Sequence, residues 1–132
     1  KIAQRLNDQR PAHLPPLEVC VQVNISGEAS KSGIGPDELL DICQKISAMP
    51  NLHLRGLMSI PEPTDNVQAQ RKSHQQLREL LKKLQQSTVL DHQKVQLDTL
   101  SMGMSSDIEA AIAEGSTMVR VGTAIFGKRT YL

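Results

Sequence analysis

The stretch "VQLDTLSMGMSSDIEAAIAEG" (95–115) decides the fold. Its first part, 95–102, is apolar and predicts a strand, whereas "SDIEAAIAEG" (106–115) has the apolar spacing of a helix. Gly115 stands just past the last helical position, where glycine commonly ends a helix. Small residues and methionines fill the junction between them: Ser101, Met102, Gly103, Met104, Ser105 and Ser106. A strand that leads directly into a helix through a short polar loop is typical of a βα unit.

The same βα pattern recurs on both sides of this stretch. β-Branched and apolar runs predict three further strands, "LEVCVQVNI" (17–25), "LHLRGLMSI" (52–60) and "TMVRVGTAIFG" (117–127). Amphipathic spacing predicts the helices that separate the strands, over 36–49 and 66–86. The chain opens inside another helical pattern, "KIAQRLNDQ" (1–9).

Alternating strands and helices imply parallel strands joined by right-handed crossovers. Two α/β architectures have this pattern, an open doubly wound sheet and half of a TIM-type (β/α)8 barrel, whose usual length is about 250 residues. The chain opens inside a helix with no preceding strand, which favours a piece of a larger domain. We therefore expect residues 1–132 to form a single partial domain, the C-terminal half of the barrel with four βα units and parallel strands.

A half-barrel leaves its two outer strands with unpaired backbone N–H and C=O groups. The first and fourth predicted strands are both rich in β-branched residues and carry few charges. We therefore expect the chain to self-associate or to pair with the missing N-terminal half of the barrel.

Composition disfavours several classes of partner. Basic and acidic residues nearly balance, 15 against 14, and the chain has one Phe, one Tyr and no Trp, so we expect no nucleic-acid partner. No apolar stretch approaches the roughly 20 residues that span a bilayer, so we expect no membrane partner and a cytoplasmic location. The histidines lack metal-ligand spacing, and Cys20 and Cys43 are interpreted as buried free thiols.

The loop after the third predicted strand has the composition of an anion site. In either architecture, ligands bind at the carboxyl ends of the strands. Ser106 and Glu109 have the spacing of a capping box, and the Ser105 and Ser106 hydroxyls lie beside the free N–H groups of the first helical turn. Gly103 lets the backbone approach a ligand closely. The alternative is a plain helix cap beneath a solvent-facing loop.

The fourth predicted strand adds to this site. Arg120 lies within an apolar strand pattern, where an unpaired arginine is costly, so it needs a carboxylate, an anion or a ring acceptor. An internal salt bridge to Asp98 is one interpretation. In the other, Gly122 and Thr123 offer backbone N–H groups to the same anion as Ser105, in the manner of the phosphate sites of many barrels.

The remaining strand ends are less informative. Asn24 lies at the end of the first predicted strand and Met58 near the end of the second. Methionine is more often a packing residue than a ligand contact. Lys31 lies in the Gly/Ser-rich loop after the first strand and is interpreted as a solvated side chain.

Four segments together resemble the YggS/PROSC-type pyridoxal phosphate homeostasis proteins: "VQVNIS", "SKSGI", "LRGLMSIP" and "DTLSMGMSSDIEAAIAEGSTMVRVGTAIFG". The resemblance covers essentially the whole chain and is most specific in its last third. It implies a TIM barrel like the N-terminal domain of alanine racemase, with pyridoxal 5′-phosphate (PLP) as cofactor. It also implies a role in balancing the cellular PLP supply, without a robust catalytic reaction.

The resemblance also implies residue roles. Ser105, Gly122 and Thr123 would hold the PLP phosphate, and Arg120 would face the pyridine nitrogen. A guanidinium beside that nitrogen opposes its protonation and weakens the ring as an electron sink, although racemases use the same arrangement. The expected cofactor-binding set is completed by the residues next to these positions and at the first two strand ends: Met104, Ser106, Asn24 and Met58.

One family feature has no match here. In the family, the lysine that links covalently to PLP lies at the end of the first barrel strand, and Lys31 matches the "SKSGI" segment instead. We therefore expect no covalent anchor in this chain and no enzymatic activity. Two alternatives remain, a PLP-dependent amino-acid racemase or decarboxylase of the same barrel type, and a barrel enzyme that binds a phosphorylated substrate without PLP. The chain ends at Leu132, soon after its last predicted strand, which disfavours an added catalytic domain.

Overall fold

The computed structural model describes residues 1–26 and 32–130, so Lys31 lies outside the described residues. Helices and strands alternate, as the sequence predicts, up to the last helix, which follows another helix. In chain order they are α1 (Ile2–Gln9), β1 (Leu17–Gln22), α2 (Leu39–Ser47), β2 (Leu52–Met58), α3 (Val67–Gln86), β3 (Thr99–Ser101), α4 (Ile108–Ala113) and α5 (Thr123–Phe126). A 3₁₀ turn, Pro36–Glu38, leads directly into α2.

The strands form one parallel sheet in the order β1-β2-β3, so each strand lies beside the next one in the chain. Leu17 pairs with Leu52, and Leu57 pairs with Leu100. A parallel bridge between Ser101 and Met118 adds the fourth segment at the β3 edge. Strands that follow one another in order, with crossover helices between them, form the wall of a barrel. The predicted α/β class and parallel strands are therefore confirmed.

The fourth predicted strand, 117–127, is wrong in most of its length. Among the described residues, its pairing with β3 is one isolated bridge, between Ser101 and Met118. The N–H of Arg120 donates to the carbonyl of Gly103 at 2.9 Å instead, and the chain then turns into the short helix α5.

The other three strands are also shorter than predicted, and the second ends at Met58 instead of Ile60. The third begins at Thr99 instead of residue 95. The N–H of Asp98 contacts the carbonyl of Arg55 on β2 and also that of Gln96, each at 3.0 Å, and this tight turn interrupts the ladder. The first ends at Gln22, and Val23 then forms an isolated bridge with Ile34 in the returning loop.

The core lies between the sheet and the helices. α3 buries one face, made of His74, Leu77, Leu81 and Leu84. Against it packs the buried face of the sheet, which includes Leu54, Leu57 and Leu100. No helix among the described residues combines the length and apolar character needed to cross a membrane.

Cys43 is a buried free thiol, as predicted, whereas Cys20 is also free but only half-buried. Burial raises the pKa of the Cys43 thiol to about 12 and also raises that of Cys20. The thiol of Cys43 is therefore a packing group with little nucleophilic character near neutral pH.

Candidate functional site

The loop between β3 and α4 depends on a glycine. Gly103 has φ +102°, and a Cβ placed on it would lie 2.5 Å from the Cβ of Ala111 in α4. The close approach that Gly103 allows is thus to the helix that follows. This packing fixes the path of the backbone just before Met104 and Ser105.

Ser105 joins this loop to the start of α5. Its Oγ accepts hydrogen bonds from the N–H groups of Gly122, at 3.3 Å, and Ala124, at 3.1 Å. Thr123 lies between these two donors and is exposed. Two backbone donors therefore converge on one hydroxyl oxygen, an arrangement that also suits an anion oxygen.

Arg120 lies on the same side of the sheet edge and is half-buried. One terminal nitrogen of its guanidinium donates to the carbonyl of Ser59 at 2.7 Å, and its buried Nε has no hydrogen-bond partner within 1–26 and 32–130. Burial lowers the pKa of the guanidinium, and the Asp107 carboxylate opposes that shift. Arg120 Nε is thus an unpaired buried donor among the described residues.

The salt bridge between Arg120 and Asp98 that the sequence suggested is wrong. Asp98 accepts two hydrogen bonds from the guanidinium of Arg55, at 3.0 and 2.8 Å, and these lower the pKa of its carboxyl. Arg55 also bonds to Glu18 on β1 at 2.6 Å. Arg55, on the middle strand, therefore binds the carboxylates of Glu18 and Asp98 on its two sides.

The predicted capping box of Ser106 and Glu109 is also wrong. α4 begins at Ile108, its N-cap is Asp107, and no side chain caps it. Asp107 turns its carboxylate away from the helix. Oδ1 accepts from the N–H of Met104 at 2.8 Å, and Oδ2 lies 2.8 Å from Nε2 of His74.

The other predicted site residues lie around this centre. Met104 and Ser106 are exposed and line a cavity of about 160 Å³ beside Asp107. Met58 is half-buried at the end of β2, next to Ser59. Asn24 is half-buried, and its side-chain oxygen accepts from the Ser26 hydroxyl at 3.2 Å. Contacts between described residues therefore join Ser105 to Gly122, and Arg120 to the end of β2.

Sequence reasoning missed His74 and Ser59. Both are fully buried, and each has a side-chain polar atom without a partner. The available signal was the position of His74, which shares the spacing of Leu77 and Leu81 on the apolar face of α3. Histidine was considered only for metal spacing, so an imidazole inside a leucine stripe went unnoticed.

Ordered parallel strands with polar groups at their carboxyl ends define a (β/α)-barrel-type domain. The sequence matches the family described as "Alanine racemase, N-terminal domain" over residues 1–130, and the chain belongs to this family.

Curated relatives are named "Pyridoxal phosphate homeostasis protein". The protein of Pseudomonas aeruginosa is 58% identical over 131 residues, which are 99% of this chain and 53% of that protein. The protein of Escherichia coli K12 is 53% identical over the same share of each chain. The chain therefore spans about half the length of the curated relatives it matches, and the resemblance seen in the sequence is confirmed.

Solved structures of PipY from Synechococcus elongatus have the same fold. The structure without PLP has a TM-score of 0.81 at 32% identity and covers 96% of this chain and 57% of PipY. The structure with PLP bound has a TM-score of 0.72 at 32% identity and covers 96% of this chain and 53% of PipY.

Proposed function

We propose that this chain supplies the phosphate-binding and ring-facing side of a PLP site, in a protein that maintains PLP homeostasis and does not catalyse a reaction of its own. The names of the curated relatives support this function, as does the PLP-bound structure of PipY. The proposed cofactor-binding residues are those at the carboxyl ends of the strands: Ser105, Arg120, Gly122, Thr123, Met104, Ser106, Asn24 and Met58.

The position of Ser105 carries the proposal. Its oxygen receives two backbone N–H groups, so its own O–H proton is left for an acceptor such as a phosphate oxygen. A Cβ built on Gly122 would meet no atom within 4 Å, so the space beside this donor is open. A phosphate at this place would receive hydrogen bonds from the hydroxyl and from backbone N–H groups, and both types of donor suit a charged acceptor.

Arg120 would set the protonation of the cofactor ring, although this role alone does not distinguish a carrier from a racemase. PLP serves as an electron sink most strongly when its pyridine nitrogen is protonated. The Arg120 guanidinium is held toward the end of β2 by the Ser59 carbonyl and carries a positive charge. A positive charge facing the ring nitrogen disfavours its protonation, so PLP bound here would be kept less reactive.

The exposed edge of the sheet is an argument that this chain pairs with a partner. Met118, Ile125 and Phe126 of the fourth segment are 53%, 67% and 84% exposed, and among the described residues this segment forms one isolated bridge with the sheet. We infer that the other half of a barrel covers this edge in the full-length protein, and that residues 1–132 alone self-associate. Light scattering on the isolated chain tests this, and a cooperatively folding monomer at high concentration would contradict it.

We place the protein in the cytoplasm. Cys20 and Cys43 are both free, as is usual for proteins of a reducing compartment. Fractionation of cells that carry a tagged full-length protein tests this location. Recovery of the protein in the membrane or secreted fraction would contradict it.

The experiment for the PLP site is a titration of full-length Ser105→Ala with PLP, followed by absorbance. Loss of a hydrogen bond to a charged group costs about 1.5–3 kcal/mol, which is a loss of about 10- to 100-fold in affinity. Ser47→Ala is the matched control, because its hydroxyl bonds to Gln44 in α2, away from the site. Unchanged affinity in Ser105→Ala would refute the assignment.

A further inference from the structure

His74 is a polar side chain in an apolar position. It has no exposed surface and shares the buried face of α3 with Leu77, Leu81 and Leu84. A leucine would complete this face without burying a polar group, and burying an imidazole is unfavourable unless it is hydrogen-bonded. Its Nε2 lies 2.8 Å from Oδ2 of Asp107. Because a carboxylate only accepts hydrogen bonds, Nε2 carries the proton and donates it.

Asp107 links this contact to the loop that holds Ser105. Its two carboxylate oxygens have different partners, His74 on α3 and the N–H of Met104 in the loop. The N–H of Asp107 also donates to the carbonyl of Met104, at 3.3 Å. Residues 104–107 therefore form a closed turn that contains Ser105. Among the described residues, His74 is the one side chain outside this turn that bonds to the Asp107 carboxylate.

Three buried polar atoms without a partner belong to residues that are linked to this turn. Within 1–26 and 32–130 they are Ser59 Oγ, His74 Nδ1 and Arg120 Nε. All three residues belong to one connected set, because Arg120 bonds to the Ser59 carbonyl, Asp107 acts electrostatically on Arg120, and His74 bonds to Asp107. Unsatisfied buried polar groups are rare in folded proteins, and a cluster of them indicates a role beyond packing.

We propose that His74 is a positioning residue for the cofactor site. It fixes the Asp107 carboxylate, which closes the 104–107 turn and thereby presents the Ser105 hydroxyl between Gly122 and Ala124. This inference rests on the proposed PLP site and adds the residue that holds that site in shape. His74 itself has no exposed surface, so it would act on the site through Asp107.

The experiment compares three variants of the full-length protein. His74→Leu fills the same space without a donor, and His74→Gln retains an N–H group close to the position of Nε2. Glu114→Gln is the matched control, since Glu114 is buried between α3 and α4 and bonds to Arg71 and Arg78, both on α3, without contacting Asp107. PLP affinity and amide hydrogen exchange are measured for each variant.

We expect His74→Leu to weaken PLP affinity about tenfold. This loss is smaller than that from removing a direct PLP contact, as is usual for residues that orient a ligand-binding group. It should also speed exchange of the Met104, Gly122 and Ala124 amides about tenfold or more. His74→Gln should restore both properties to within about twofold of the wild type. Glu114→Gln should lower stability but leave PLP affinity and these three amides unchanged.

The outcomes separate this inference from the proposed function. If Ser105→Ala weakens PLP binding but His74→Leu changes neither affinity nor exchange, the PLP site stands and the role of His74 is refuted. A His74→Gln protein as impaired as His74→Leu would also refute it. If the wild type binds no PLP, the proposed function fails, and the exchange rates alone decide whether His74 positions the turn.

Discussion

Substitution of Gly103 by alanine tests the packing that sets the path of the site loop. Gly103 has φ +102°, and the added Cβ would lie 2.5 Å from the Cβ of Ala111. The positive φ costs about 1–2 kcal/mol for a residue with a side chain. Overpacking against a buried neighbour costs about 1–3 kcal/mol. We therefore expect Gly103→Ala to lower the free energy of unfolding by about 2–5 kcal/mol.

A second substitution separates the two costs. Ala111→Gly alone is expected to cost about 1 kcal/mol for the glycine in a helix and roughly 0.8 kcal/mol for the lost buried methyl. In the double variant the methyl–methyl clash is gone, while the φ strain remains. The double variant should therefore be more stable than the sum of the single effects by about 1–3 kcal/mol.

Denaturant unfolding of the full-length protein, followed by circular dichroism, measures all four members of this cycle. Strictly additive effects would refute the contact between residues 103 and 111. A Gly103→Ala variant as stable as the wild type would refute both the clash and the backbone strain.

Two further predictions concern ionisable groups. Because the pKa of Asp98 is lowered in the folded protein, its contact with Arg55 contributes stability at neutral pH that is lost as the pH falls below about 4. The difference in unfolding free energy between wild type and Asp98→Asn should therefore shrink on acidification. A constant difference from pH 7 to 3 would contradict this prediction. Burial raises the pKa of Cys43 to about 12, so a thiol reagent at pH 8 should label Cys20 before Cys43, and equal rates in the native protein would contradict the burial.

Local sequence patterns predicted much of this fold because each βα unit carries its own signals. The helical spacing of 66–86 corresponds to α3. The glycine at 115 lies just past α4 and has a φ of +97°. The loop at 101–106 was recognisable because small polar residues at a strand end are informative without knowledge of the partner strand.

The misses arise from contacts between residues that are distant in the chain. Asp98 is taken by Arg55, 43 residues away, and Asp107 is taken by His74, 33 residues away. The first contact removes Asp98 as the alternative partner of Arg120, and the second draws the Asp107 carboxylate away from α4. The length of the fourth strand depends on where its partner β3 ends, and the residues of 117–127 do not predict that position.

The most direct test of the proposed PLP site is a crystal structure of the full-length protein with PLP. The account predicts a phosphate oxygen within hydrogen-bond distance of Ser105 Oγ and of the Gly122 N–H, with the Arg120 guanidinium facing the pyridine nitrogen. PLP bound with its phosphate away from Ser105, or with its ring nitrogen away from Arg120, would contradict the account.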